Sequence, residues 1–236
     1  MQTLSPRPTL VDQVYESILV EITEGKLGID SRLIQEDIAE ALGVSRQPVQ
    51  QALLRSRGLL CDAPGRGLML APLNADYVRD LLEVRATLEG LAAAKAAKIP
   101  SGLAEAEGAA LIARGRAAVK AGSIAAMTAA DMEFHYFLYR LSDNPLVGEL
   151  CTPHWSYLRS VMSDVLRGQT PSDVWDQHED ILTAVSAGNS ALAETAARQH
   201  ILIAAEVLVE RLSRRAQARG KPVPEPPGRR SLQPVI

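Results

Sequence analysis

Three of the four histidines in this 236-residue chain stand where a site can be built. The segment Asp131-Met132-Glu133-Phe134-His135 separates a carboxylate from an imidazole by four residues, so on a helix the two share a face. His178 falls in a later helical stretch and His200 in the last one, while His154 stands apart. Imidazole and carboxylate groups are ligands for divalent transition metals. Taken singly, each of these histidines reads as a solvated or core residue. Arg85 and Glu89 are also four apart, in Val84-Arg85-Ala86-Thr87-Leu88-Glu89. Arg85 can clamp a carboxylate with its forked guanidinium, or pair with Glu89 along its own helix. Arg159, in Trp155-Ser156-Tyr157-Leu158-Arg159, is a second cation of the same kind. Phe134, Phe137, Trp155 and Tyr157 read as core rather than as surfaces for stacking a ligand.

A different chemistry lies near the other end. Residues 39–53 read A-E-A-L-G-V-S-R-Q-P-V-Q-Q-A-L. Gly43 suits the left-handed end of one short helix, Ser45 the N-cap of the next, and Pro48 that helix's first turn. Arg46 and Gln47 then lie in the first turn, with Gln50 one turn on. Arginine can read guanine or hold a phosphate, and glutamine can read an adenine edge. The Ser45 hydroxyl and the helix N-terminus can meet a phosphate. Val49, Ala52 and Leu53 are expected to face a core. Beyond them, Ala63-Pro64-Gly65-Arg66-Gly67 separates two short apolar runs, 59–62 and 68–71, and reads as a hairpin tip. There Arg66 and Gly67 can approach a minor groove, the arginine adding charge and the glycine allowing close backbone contact.

The elements that must position these residues follow from periodicity. Leu10, Val14, Ile18 and Ile22 recur every four residues, predicting a helix over 10–24 that Gly25 and Gly28 end. Shorter helices over 35–42 and 45–55 and then the hairpin complete a winged helix-turn-helix over 8–72. Residues 71–74 read as a linker. From there the chain is mainly α: helices over 75–97, 103–121, 123–142, 145–167, 171–187 and 190–213 form a second, all-helical domain over 75–213. The segment 214–236 carries repeated Pro and Gly among basic residues and is expected to be disordered.

Composition bounds the classes. The chain is 47% apolar and 22% charged, as a globular protein is. Its net charge of −3 argues mildly against nucleic acid as partner. Cys61 and Cys151 are the only cysteines, too few for a disulfide framework, so a reducing cytoplasm fits. The first ten residues lack the apolar run of a signal peptide, and nothing approaches the roughly 18 uninterrupted apolar residues of a membrane helix.

Residues 8–72 resemble the GntR family of bacterial regulators, through Leu42-Gly43-Val44-Ser45-Arg46, Pro48-Val49, Ala52-Leu53, Gly58-Leu59 and Arg66-Gly67. Two features depart from it. Glu36 and Gln50 stand where arginine is usual, and the chain is two residues short between Leu54 and Gly58, around Arg55-Ser56-Arg57. Fewer cations weaken phosphate attraction. Further on, D-M-E-F-H, Asn144-Pro145, H-E-D-I-L-T-A-V-S-A-G-N and A-A-R-Q-H-I resemble the FCD domain, the ligand-sensing half of the FadR-type branch. The resemblance implies that Asp131, His135, His178 and His200 hold a divalent transition metal, zinc or nickel by donor chemistry. It also implies that Arg85 points into a ligand cavity, and it argues against an acyl-CoA ligand, since members that bind one lack this set.

These readings lead to one expectation: a cytoplasmic homodimeric repressor that binds a palindromic double-stranded operator and is controlled by a small organic acid at a metal centre, with Arg85 and Arg159 as effector contacts. Two other readings carry the same residues. One is a metalloenzyme acting on a small acid, against which no general base is placed by motif. The other is a regulator whose effector is the ion itself.

Overall fold

The computed structural model describes residues 8–23, 26–27, 31–55, 60–63, 65, 67–70, 73–99, 102–165 and 173–219. They fall into two compact units that divide between Pro72 and Leu73.

In the first unit, α1 (Leu10–Thr23), α2 (Gln35–Leu42) and α3 (Arg46–Arg55) are followed by β2 (Leu60–Asp62) and β3 (Leu68–Leu70). Thr9 closes the start of α1, its amide and hydroxyl both donating to Asp12. Gly43 ends α2 with φ of 63°, the left-handed conformation a glycine adopts without steric cost. The expected hairpin is present, and it belongs to a larger sheet. A two-residue strand β1 (Arg32–Leu33) pairs antiparallel with β3, giving the order β1-β3-β2. Two residues are too few to show an alternating pattern, so only the pairing with β3 defines this strand. Val14, Ile18, Leu19 and Ile22 of α1 bury against Val49, Ala52 and Leu53 of α3 and Leu70 of β3.

The secondary structure described in the second unit is helical: α4 (Ala75–Ala96), α5 (Gly102–Lys120), α6 (Ile124–Leu141), α7 (Pro145–Cys151), α8 (Trp155–Val165), α9 (Val174–Ser186) and α10 (Ser190–Arg219). Asn74 caps α4 by accepting from the Tyr77 amide at 2.9 Å, and Ser123 caps α6 by accepting from Ala126 at 3.2 Å. The expected helix over 145–167 is two helices, joined by a 3-10 turn at Thr152–His154. Pro153 explains the break, since it removes an amide donor and crowds the preceding turn. The last helix runs on past the expected end at 213, to Arg219. Residues 214–219 are R-R-A-Q-A-R, all strong helix formers, and Arg214 pairs with Glu210 one turn back at 2.6 Å. The rest of the expected disordered tail, from Gly220, lies outside the described residues, as do Arg66 and Ser56-Arg57.

Two large apolar clusters and a smaller one, of Ala92, Tyr139, Val147 and Cys151, fill this unit among the described residues. Phe134, Phe137, Leu138, Trp175, Ile181 and Val185 belong to one large cluster. Leu82, Trp155, Leu158, Val161 and Ile201 belong to the other. Small residues set the helix spacing. A Cβ on Gly115 of α5 would lie 2.1 Å from the Trp175 ring of α9, so the indole rests on bare backbone. Gly115→Ala is therefore expected to push Trp175 aside and destabilise the domain by about 1–3 kcal/mol, as overpacking does. A urea titration followed by tryptophan fluorescence measures it; an unchanged midpoint would refute this packing role.

Candidate metal centre and DNA-reading face

The helical unit brings together the four residues that the resemblance singled out. α6 carries Asp131 and His135 on one face, α9 supplies His178, and α10 supplies His200. One donor atom from each lies within 4.8 Å of every other, and all four residues are buried. His178 Nε2 is 3.1 Å from His200 Nε2 and 3.5 Å from Asp131 Oδ1, and His135 Nε2 is 3.8 Å from the same oxygen. Ligands about 2.1 Å from a shared ion stand roughly 3.0–3.4 Å apart, so the shorter of these separations already match a coordination shell.

Protonation also suits a metal. Burial, then the neighbouring His200, His135 and Arg85 charges, drive the His178 pKa well below its ordinary value. Burial with His135 and Arg85 takes His200 down to about 3. Neutral imidazole is the form that ligates. The tautomers are set from behind. His135 Nδ1 is 3.0 Å from Glu89 Oε2 and donates to it, and His200 Nδ1 is 2.8 Å from Gln177 Oε1 and donates there. Both Nε2 lone pairs are thereby turned to the cluster, as second partners do around metal-bound histidines. Burial raises the Asp131 carboxyl, partly offset by His135 and Arg85, so a cation beside it would relieve a buried acid.

Aromatic rings wall the site and join the two apolar clusters across it. Phe134 stacks on His178 with centroids 4.3 Å apart, and Trp175 meets the same ring edge-on at 4.8 Å. Trp155 lies 5.4 Å from the His135 ring. Phe134, Phe137, Trp155 and Tyr157 are all buried, as core residues should be. Half-buried His154 is no part of the set.

Arg85 takes the helical pairing: its Nε donates to Glu89 Oε1 at 2.9 Å, and its guanidinium lies over the Trp155 ring, 3.9 Å from the centroid. Its Nη2 is buried without a hydrogen-bond partner. Arg159 is buried on α8, one turn beyond Trp155 on the same helix face. Glu89 is the residue the sequence undervalued. Fully buried, it binds Arg85 with Oε1 and His135 with Oε2, and also accepts from the Tyr139 hydroxyl. Burial works against its ionisation, but His135, Arg85 and the hydrogen bonds from His135 and Tyr139 outweigh it and hold the pKa at about 2. Its spacing from Arg85 was visible; the link to α6 was not. Gln177, next to His178, was missed for the same reason.

In the first unit, Ser45, just before α3, and Arg46, Gln47 and Gln50 along it are exposed, opposite the buried Val49, Ala52 and Leu53. Gly67 of the wing has φ of 93°. A Cβ there would come 3.0 Å from the Leu33 carbonyl of β1, so glycine lets the strands close up. Arg32 of β1, a cation the sequence did not mark, reaches to 3.9 Å from the Cβ position of Gly65 at the hairpin tip.

Glu89→Gln keeps the shape and removes the charge. It should leave the Arg85 cation buried without its counter-ion and destabilise the helical unit by about 3–5 kcal/mol. Chemical denaturation followed by circular dichroism checks this, and a loss below ~1 kcal/mol would show that Glu89 is dispensable.

Comparison with known proteins places both halves. Residues 10–70 match the family of bacterial regulatory proteins, gntR family, and residues 80–202 match the FCD domain. HTH-type transcriptional regulator LutR of Bacillus subtilis is 32% identical over 200 residues, covering 72% of this chain and 88% of LutR. A protein of Paenarthrobacter nicotinovorans described as "Probable D-xylose utilization operon transcriptional repressor" is 26% identical over 197 residues, 83% of this chain and 87% of its own. Among solved structures, Escherichia coli McbR/YncC aligns with a TM-score of 0.74 at 22% identity, over 86% of this chain and 98% of its own. A GntR regulator of Rhodococcus sp. RHA1 aligns at 0.70 with 20% identity, over 85% and 97%. These two share the fold. No helix among the described residues is long and apolar enough to cross a membrane. The chain belongs to the GntR family, with a winged helix-turn-helix followed by an FCD domain, and it is a DNA-binding transcriptional regulator.

Proposed function

We propose that this regulator is a cytoplasmic repressor that holds a palindromic operator as a homodimer and is controlled by a small carboxylate bound in the FCD domain. The observation that carries the reading is the buried Asp131, His135, His178 and His200 cluster beside an arginine with an unpaired Nη2. Those four residues would hold the ion, zinc or nickel by their nitrogen-rich donor set. When bound, it would supply a Lewis-acidic positive centre for an anionic oxygen. Arg85 supplies the second contact: Glu89 occupies Nε, which leaves the buried Nη2 to donate to a carboxylate. Arg159, on the Trp155 face of α8, is a further contact for the same anion. Burial of the set and its aromatic walls exclude water, which strengthens each of these interactions. Repression is the role named for the Paenarthrobacter relative. For an acid to relieve it, the acid must bind one conformer of the domain more tightly than the other.

Ser45, Arg46, Gln47, Gln50, Arg66 and Gly67 are the operator contacts in this reading. A palindrome needs two copies. Val84 and Leu91 of α4 and Leu146 and Leu150 of α7 are exposed aliphatics on two packed helices, and they offer apolar area for the second copy. Leu150→Glu is expected to shift the protein toward monomer and weaken operator binding at least tenfold. Light scattering after size exclusion measures the first effect; a variant that stays dimeric removes α7 from the interface.

The effector reading is tested by native mass spectrometry and thermal shift on protein never exposed to chelator. Roughly one transition-metal ion per chain is expected, and chelation should lower the melting temperature because the ion binds only the folded state. A screen of metabolite acids should stabilise the metal-loaded parent and not Arg85→Ala. Absence of stoichiometric metal, or equal stabilisation of stripped protein by the same acids, would refute the site. Operator binding that follows added metal with no acid present would make the ion itself the effector.

A further inference from the structure

Glu36 is an acid on the side of the first unit that must approach DNA. It lies in the first turn of α2, half-buried, and its Oε1 is 3.1 Å from Nη1 of Arg46 in the first turn of α3. The Arg46 side chain is 70% exposed. An ion pair with one partner this open to solvent adds little to folding by itself. Near DNA the same carboxylate repels phosphate and cancels one of the cations that non-specific binding draws on. An acid at such a place weakens binding to every sequence alike, unless it improves the reading of one.

The pairing shows how it can. Arginine presents five N–H donors in a rigid fork. Glu36 takes Nη1 and leaves Nε and Nη2, which lie on one edge of the guanidinium. That edge matches guanine O6 and N7, the bidentate contact arginine makes best. Held by Glu36, Arg46 gives up part of its rotamer freedom before DNA arrives. The neighbouring carboxylate also disfavours swinging the guanidinium toward a phosphate, because that separates the pair. We infer that Glu36 is a specificity-determining positioning residue: it aims Arg46 at one guanine of the operator and lowers affinity for all other DNA. Gln50, one turn along α3, stays exposed beside it for a neighbouring base pair.

The test selects binding sites from random-sequence duplex DNA with the full-length parent, Glu36→Gln, Glu36→Ala and Arg46→Ala, then measures affinity for the selected site and a scrambled one over a salt series. Arg46→Ala should flatten preference at one base pair of each half-site. Both Glu36 variants should lose discrimination at that same pair by at least about fivefold. They should also bind scrambled DNA more tightly, with the slope of log K against log salt steeper by about one. Loss of fold alone would weaken both sites together and leave their ratio unchanged; circular dichroism of Glu36→Gln, near-isosteric and half-buried, monitors the fold. Glu36→Gln that keeps the parent's ratio and salt slope overturns the inference. A change confined to a different base pair also overturns it, by making Glu36 a direct reader. A parent that selects no site would overturn operator recognition itself, a separate result from either.

Discussion

The helical domain is organised around one buried negative charge. Glu89 has no exposed surface, and an isolated carboxylate there would cost several kcal/mol or change its protonation state. It stays ionised because α4 and α6 both supply partners: Arg85 from its own helix, and His135 and Tyr139 from the next. The requirement is mutual. Arg85 is also buried, lies over Trp155 of α8, and would be an uncompensated cation without Glu89. Three helices are thus held in register by polar groups that cannot be separated cheaply in a low-dielectric interior. The imidazole that Glu89 holds in place is also one of the four donors of the candidate metal centre.

Around that centre the domain gathers charge-sensitive groups and keeps water away. His178 has Phe134 stacked on one side and Trp175 against its edge, and its Nδ1 is buried without a hydrogen-bond partner. The cluster sits where two apolar cores meet, so a change in helix packing on either side moves a ligand residue. Anything that binds there is therefore coupled to packing over much of the domain. That is the physical property a sensing domain needs, since packed interiors switch between discrete arrangements rather than deforming smoothly.

The DNA-binding unit works by the opposite arrangement. Its core is a single patch between α1, α2, α3 and β3 that holds α3 by Val49, Ala52 and Leu53, leaving the polar face outside. The overall charge of −3 concerns the whole chain and says little about this face. Which side chains it presents, and how they are paired before DNA is met, governs what it reads. In the reading proposed above, the Glu36–Arg46 pair, 3.1 Å apart, makes one cation of that face less available to phosphate.

Much of this was legible in the residues. The Gly43 turn, the core side of α3, the helical second domain and the four-residue spacing of Asp131 and His135 are local properties, written into periodicity and turn chemistry. The resemblance brought His178 and His200 to the same site, and their meeting with α6 agrees with it. Other features depend on contacts between segments far apart in the chain. A two-residue strand at Arg32–Leu33 exists only because β3 lies beside it. Arg85 had two possible partners on paper, and its pairing with Glu89 was settled with the docking of α4 on α6 and α8. Glu89 could be seen as a helical neighbour of Arg85, but its bonds to His135 and Tyr139 cross 46 and 50 residues. Local sequence determines which backbone forms; the partners of a buried charge are decided by which helices pack together, because only packing brings those groups within hydrogen-bonding reach and removes the water that would otherwise take their place.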